Sequence, residues 1–135
     1  MTDFDAIIRS LLPYKDKIIV CLDGANVLHG DDCLGWFTVF AVEPIVVKDV
    51  KVIVLPDCFE TKQYVELCGL YCTDADQTLL DYLEYADDVL PDDMGKYGYH
   101  YFTDDDSFNR LRPRMTDKQK KVLDEWEYLF FHWKG

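Results

Sequence analysis

Two short runs of mainly β-branched residues constrain the fold of this chain most strongly. They are KIIVCL at 17–22 and VKVIVL at 50–55. Such runs are typical of strands that are buried on both faces, as in a parallel sheet, because neither face has to meet water. Residues 70–73 and 99–103 (YHYFT) predict two further strands.

Helical patterns separate these strands. The expected helices are 2–13, 34–47, 59–67, 74–89 and a C-terminal helix that starts at the capping box Thr116-x-x-Gln119. Segment 34–47 is ambiguous, since its β-branched and aromatic residues favour a strand while its apolar spacing also fits a helix, which we favour. The alternation predicts one α/β domain over residues 1–135: a three-layer sandwich with a mostly parallel central sheet and a surface insertion at 91–98.

Composition excludes some classes of protein. The chain has 26 acidic and 14 basic residues and a net charge of −12, yet 49% of its residues are hydrophobic, so it is not a disordered acidic tail. No stretch reaches the length of a membrane span, and the N-terminus is acidic. Five cysteines without a disulfide spacing suggest a reducing, cytoplasmic setting. Cys68-x3-Cys72 could be half of a zinc site, although buried thiols are the ordinary alternative.

Carboxylates follow the predicted strands. Asp23 comes after KIIVCL, Asp104-Asp105-Asp106 come after YHYFT, and Asp74 and Asp76 open a helix. Ligands of open parallel sheets bind beyond the carboxyl ends of the strands, so these acids are expected at one edge, where they would suit Mg²⁺ or Mn²⁺. Taken alone, each of these acids is more often a turn former or a helix cap than a ligand.

These segments resemble a known family. Asp23-Gly24-Ala25-Asn26-Val27 after a hydrophobic strand resembles the opening motif of the NYN branch of PIN-like ribonucleases, which includes the regnase-type enzymes. Asp74-Ala75-Asp76 before an apolar helix is similar to the paired acids of that family. Phe102-Thr103-Asp104-Asp105 is similar to its strand-end Ser/Thr-x-Asp, and Val50–Pro56 to its second strand.

The resemblance implies a PIN-like fold and metal-dependent hydrolysis of RNA that leaves 5′-phosphate and 3′-hydroxyl ends. It implies Asp23, Asp76 and Asp105 as ligands of Mg²⁺ or Mn²⁺, with Asp104 and Asp106 as neighbouring alternatives. Asn26 would position water or phosphate. His29 could touch substrate, but a structural role is the simpler interpretation.

Charge leaves the partner open. A basic run follows the strand-end acids and could contact RNA phosphates through Arg110, Arg112, Arg114 and Lys118, or could be a solvated surface. Where the family often has another acid, the chain reads Ser107–Arg110. The alternative is therefore a catalytically degenerate, acidic interaction protein that mimics nucleic acid or inhibits a basic partner. A strand ending in Asp-Gly is also found in haloacid-dehalogenase-type phosphatases, but Cys21 stands where their nucleophilic Asp is needed. The aromatic last helix could also support a homodimer.

Overall fold

The computed structural model describes residues 3–30, 36–85 and 110–133, with side chains as far as 125. The chain divides into two compact units, residues 1–78 and 79–135. The expected strand 99–103, the insertion 91–98 and the end of the helix expected at 74–89 lie outside the described residues. So do the aromatic side chains of the last helix. The single domain therefore stays a prediction.

The first unit contains a sheet with short helices around it. Its elements are α1 (Phe4–Leu11), a 3₁₀ turn (Leu12–Lys17), β1 (Ile18–Cys21), α2 (Leu22–Leu28), β2 (Phe37–Ala41), β3 (Val50–Val54), α3 (Cys58–Thr61), β4 (Tyr64–Leu67) and β5 (Leu70–Thr73). Helix α4 (Ala75–Glu84) follows and continues into the second unit.

The sheet has five strands in the order β3-β2-β1-β5-β4. Strand β1 runs parallel to β5 and antiparallel to β2, β2 runs parallel to β3, and β4 runs antiparallel to β5. The α/β class is therefore correct, but the sheet is mixed, and the expected mostly parallel sheet is wrong. The three-layer arrangement stays a prediction.

Two helix predictions fail, and their failure makes the sheet mixed. Residues expected in a helix at 34–47 form β2, which lies between β1 and β3 and is buried along its whole length. Residues expected in a helix at 59–67 form the single turn α3 and then β4. In β2 the preference of β-branched and aromatic residues for a pleated, buried surface outweighs the helical spacing.

The predicted strands at 17–22, 50–55 and 70–73 are confirmed as β1, β3 and β5. Strand β3 is only half-buried, because it is an outer strand of the sheet and has a neighbouring strand on one side only. The first helix is shorter than expected, since it begins at Phe4 and ends at Leu11. Its cap is Asp3, whose side chain accepts a hydrogen bond from the Ala6 amide at 3.1 Å.

The core of the first unit lies between α1 and one face of the sheet. Alternate residues of the three central strands point to this face, as strand geometry requires, and α1 covers them. The cluster includes Ile7, Leu11, Ile18, Val20, Val39, Ala41, Leu70 and Cys72.

The second unit contains the end of α4, a 3₁₀ turn (Arg112–Arg114) and helix α5 (Asp117–Trp133). The predicted capping box is confirmed: the Thr116 amide donates to Gln119 Oε1 at 2.9 Å, and the Gln119 amide donates to Thr116 Oγ1 at 3.2 Å. None of the helices in the described part of the chain is long and apolar enough to cross a membrane.

Candidate functional site

At one edge of the sheet, the carboxyl ends of two parallel strands lie beside the first residues of their antiparallel neighbours. Val20 pairs with Cys72 in the parallel β1–β5 pair, so these strands end side by side at Cys21 and Thr73. The antiparallel strands β2 and β4 begin at the same edge, because Thr38 pairs with Cys21 and Tyr64 with Thr73. We call this the β1–β5 edge. Ligands of α/β proteins bind at such carboxyl ends.

Asp23 and Asn26 lie just beyond this edge, in helix α2. Strand β1 ends at Cys21, and helix α2 follows at once from Leu22. The change of direction is concentrated in Leu22, whose φ of 51° is costly for a residue with a branched side chain. Asp23 and Asn26 are one helical turn apart and only 7% and 5% exposed.

Gly24 fixes how closely α2 approaches the sheet. A Cβ atom at this position would lie 2.8 Å from Val20 Cγ1, 2.9 Å from the Thr38 carbonyl oxygen and 3.1 Å from the Phe37 ring. The helix therefore packs directly on β1 and β2, because glycine has no side chain at the point of contact. The glycine of the Asp-Gly-x-Asn motif thus has a steric reason that is independent of any chemistry.

Asp74 and Asp76 follow β5 at the same edge and have different surroundings. Asp74 caps α4, since its Oδ1 accepts a hydrogen bond from the Gln77 amide at 2.8 Å. Its own amide donates to the Gln63 carbonyl at 3.2 Å. This confirms the predicted cap, and it engages one oxygen of Asp74. Asp76, the ligand that the family resemblance implies, is half-buried in the first turn of α4.

Hydrogen bonds tie the two acid-bearing segments together. His29, which caps the end of α2, places Nε2 2.9 Å from the Thr73 carbonyl oxygen. The Thr73 and Thr78 hydroxyls are 2.7 Å apart, and Thr78 Oγ1 donates to the Asp74 carbonyl at 2.8 Å. The end of β5 and the start of α4 are thereby held in place. The structural interpretation of His29 fits this contact.

The oxygen donors at this edge are of the kind that Mg²⁺ and Mn²⁺ prefer. Mg²⁺ is commonly held by one or two carboxylates together with water and substrate phosphate, and Asp23 and Asp76 could supply two. Among the residues that the structure describes, no group of three or more His, Cys, Asp or Glu side chains could hold a metal ion.

The positions of Cys68 and Cys72 do not favour the zinc site that their spacing suggested. Cys68 is exposed at the β4–β5 turn, whereas Cys72 faces the core. Burial, with smaller contributions from nearby Cys68 and Asp74, raises the pKa of the Cys72 thiol to about 12. A thiol buried in apolar surroundings is ordinarily inert.

The remaining predicted site residues lie elsewhere in the chain. Asp104, Asp105 and Asp106 lie outside the described residues. Arg110 and Arg114 are exposed in the second unit. Arg112 donates to Asp124 Oδ1 at 3.3 Å, and Lys118 donates to the Glu84 carbonyl at 2.9 Å.

Sequence analysis missed three notable side chains. Trp36 and Tyr64 lie beside the β1–β5 edge, but both fall in segments that were expected to be helical; the β-branched and aromatic content of those segments was the available signal. Asp81 is fully buried on α4. No sequence pattern indicated the burial of Asp81, because an Asp on a helix is ordinarily exposed.

Comparison with protein-family models finds no match for this chain, and neither curated proteins nor solved structures give one. The resemblance to NYN/PIN-like ribonucleases therefore stays a prediction that rests on the quoted motifs.

Proposed function

We propose that the chain is a Mg²⁺- or Mn²⁺-dependent endoribonuclease of PIN-like type, a hydrolase whose active site is the β1–β5 edge. The observation that carries this proposal is the parallel pairing of β1 with β5. It brings the segment with Asp23 and Asn26 next to the segment with Asp74 and Asp76, although about fifty residues separate them.

Each residue then has a stated task. The carboxylates of Asp23 and Asp76 would hold the metal. When bound, such a metal makes a coordinated water more acidic and stabilises negative charge on the phosphate. Asn26 does not titrate, so its buried amide can orient a water molecule or a phosphate oxygen at any pH. His29 and Gly24 keep α2 in position.

The basic residues of the second unit would bind RNA phosphates. Arg110 and Arg114 are exposed, and the ion pairs of Arg112 with Asp124 and of Lys118 with Glu84 lie at the surface, where such pairs contribute little stability. In the described part of the chain, Cys21, Cys58, Cys68 and Cys72 form no disulfide, which fits a reducing compartment such as the cytoplasm.

A second candidate is a catalytically inactive, acidic interaction protein that binds a basic partner. The net charge of −12 favours it, since such a charge attracts basic surfaces and opposes contact with RNA. It does not explain why Asn26 is buried one turn after Asp23 at the end of a central strand.

Cleavage of labelled RNA tests the proposal. Single-stranded and hairpin RNA are incubated with Mn²⁺ and either the wild type, Asp23→Asn or Asp16→Asn. Asp16 is an exposed residue before β1, at the opposite end of the strand. Asp16→Asn therefore removes the same charge as Asp23→Asn but leaves the candidate site unchanged. We expect cleavage by the wild type and Asp16→Asn, and at least a hundred-fold loss in Asp23→Asn.

The other outcomes are equally informative. Cleavage that persists in Asp23→Asn would mean that the activity is a contaminant or uses another site. Absence of cleavage in all three proteins, together with binding of a basic protein or peptide, would favour the interaction protein.

A further inference from the structure

Two exposed aromatic side chains flank the acids of the β1–β5 edge. On one side, Trp36 directly precedes β2 and is 62% exposed. Thr38 pairs with Cys21 in antiparallel strands, so Trp36, two residues before Thr38, and Asp23, two residues after Cys21, lie at the same end of these strands. The Thr38 hydroxyl donates to the Trp36 carbonyl at 2.7 Å and fixes the backbone there. A Trp held in this way in contact with water is unusual for a side chain with so much apolar surface.

On the other side lies Tyr64, the first residue of β4. It pairs with Thr73, the residue before Asp74 on the neighbouring strand, and it is 39% exposed. Its ring makes edge contacts with Phe59, at 5.5 Å between centroids and 88° between planes, and with Tyr71, at 5.4 Å and 69°. These contacts restrain the ring without removing it from water, so its orientation is set before any ligand binds.

The charge of the edge limits how it can hold RNA. Between the two aromatic residues stand Asp23, Asp74 and Asp76, which repel phosphates, and the whole chain carries −12. Affinity at this edge would therefore gain from contacts that do not depend on attraction to the RNA backbone. Stacking of bases on aromatic rings is such a contact, since every base has an apolar face and the energy is independent of its phosphate.

We propose that Trp36 and Tyr64 each stack on a base of single-stranded RNA, one on either side of the phosphodiester bond held at the acids. The inference rests on the proposed function and adds the substrate class. Bases in a duplex are already stacked on one another and shielded, so only a single strand, a loop or an end can present them to these rings.

Equilibrium binding tests the inference separately from cleavage. Asp23→Asn is used as the parent in Mg²⁺ buffer, because it should not cut RNA and loses one repelling charge. The ligands are a labelled single-stranded oligonucleotide, a fully paired duplex and a strand with abasic sites at its centre. The variants are Trp36→Leu, Trp36→Phe and Tyr64→Leu. Val54→Ala is the control, since Val54 is also exposed but ends β3 at the opposite edge of the sheet.

We expect each Leu variant to weaken single-strand binding about ten-fold, and Trp36→Phe to retain most of the affinity. The loss should be the same at 50 and 200 mM salt, whereas a lost phosphate contact changes the salt dependence. The abasic strand should bind the parent weakly and show no difference between the parent and Trp36→Leu.

Equal affinities of the Leu variants and Val54→Ala would overturn the inference, as would a duplex that binds as tightly as the single strand. Absence of RNA binding by the parent overturns it too. The Asp23-dependent cleavage test then decides separately whether the nuclease function survives.

Discussion

Replacing Gly24 by Ala tests whether close packing positions α2. The added Cβ would meet Val20 Cγ1 at 2.8 Å, the Thr38 carbonyl at 2.9 Å and the Phe37 ring at 3.1 Å. Overpacking of a core costs about 1–3 kcal/mol, and the upper end applies because one contact is to the backbone of a strand paired on both sides. Ala is better than Gly within a helix by about 1 kcal/mol. The expected net destabilisation is therefore about 2 kcal/mol.

Thermal unfolding followed by circular dichroism measures this effect. For a chain of this length, about 1 kcal/mol lowers the melting temperature by about 3–5 °C, so Gly24→Ala should lower it by about 6–10 °C. Gly30→Ala is the control: Gly30 has a φ of 96° but open space around it, so its replacement introduces backbone strain of about 1 kcal/mol without a clash.

The comparison separates the two causes. A melting temperature of Gly24→Ala equal to the wild type, or higher than that of Gly30→Ala, would refute the steric argument. If the argument holds, Gly24→Ala should also lower cleavage more than its stability loss explains, because moving α2 moves Asp23 and Asn26.

Three further predictions follow from the described contacts. Millimolar Mg²⁺ or Mn²⁺ should raise the melting temperature of the wild type and of Asp16→Asn more than that of Asp23→Asn, and equal shifts would count against a metal at Asp23. Because burial raises the folded-state pKa of Cys72 to about 12, the unfolded chain loses this proton first above pH 9. Stability measured by urea unfolding should therefore fall between pH 9 and 12, and less steeply in Cys72→Val. Thr116→Ala should destabilise the second unit by about 1 kcal/mol through loss of its bond to the Gln119 amide, and unchanged urea unfolding would contradict the capping role.

Local sequence signals predicted the elements that depend mainly on neighbouring residues. The runs at 17–22, 50–55 and 70–73 form strands, Asp74 caps α4, and Thr116 with Gln119 forms a capping box. Each depends on composition or spacing within a few residues. The start of α2 was less predictable, since Leu22 adopts a left-handed conformation that its side chain disfavours.

Where the sequence pattern fits both a helix and a strand, tertiary contacts determine which of the two forms. Residues 37–41 fit a helix by spacing and a strand by composition, and their burial between β1 and β3 selects the strand. The direction of a strand has no local signature at all. The mixed sheet follows from which strands pair, and pairing is a property of the whole unit.

The sequence by itself determined that Asp23, Asn26 and Asp76 follow hydrophobic strands, because an apolar run and the polar residues after it are fixed by chain order. Only the tertiary structure decided which strand ends are neighbours. Parallel pairing of β1 and β5 puts the acids at one edge, and antiparallel β2 and β4 bring Trp36 and Tyr64 to that edge. The physical reason is that hydrogen bonding between strands joins residues that are distant in sequence, and their proximity cannot be derived from local spacing.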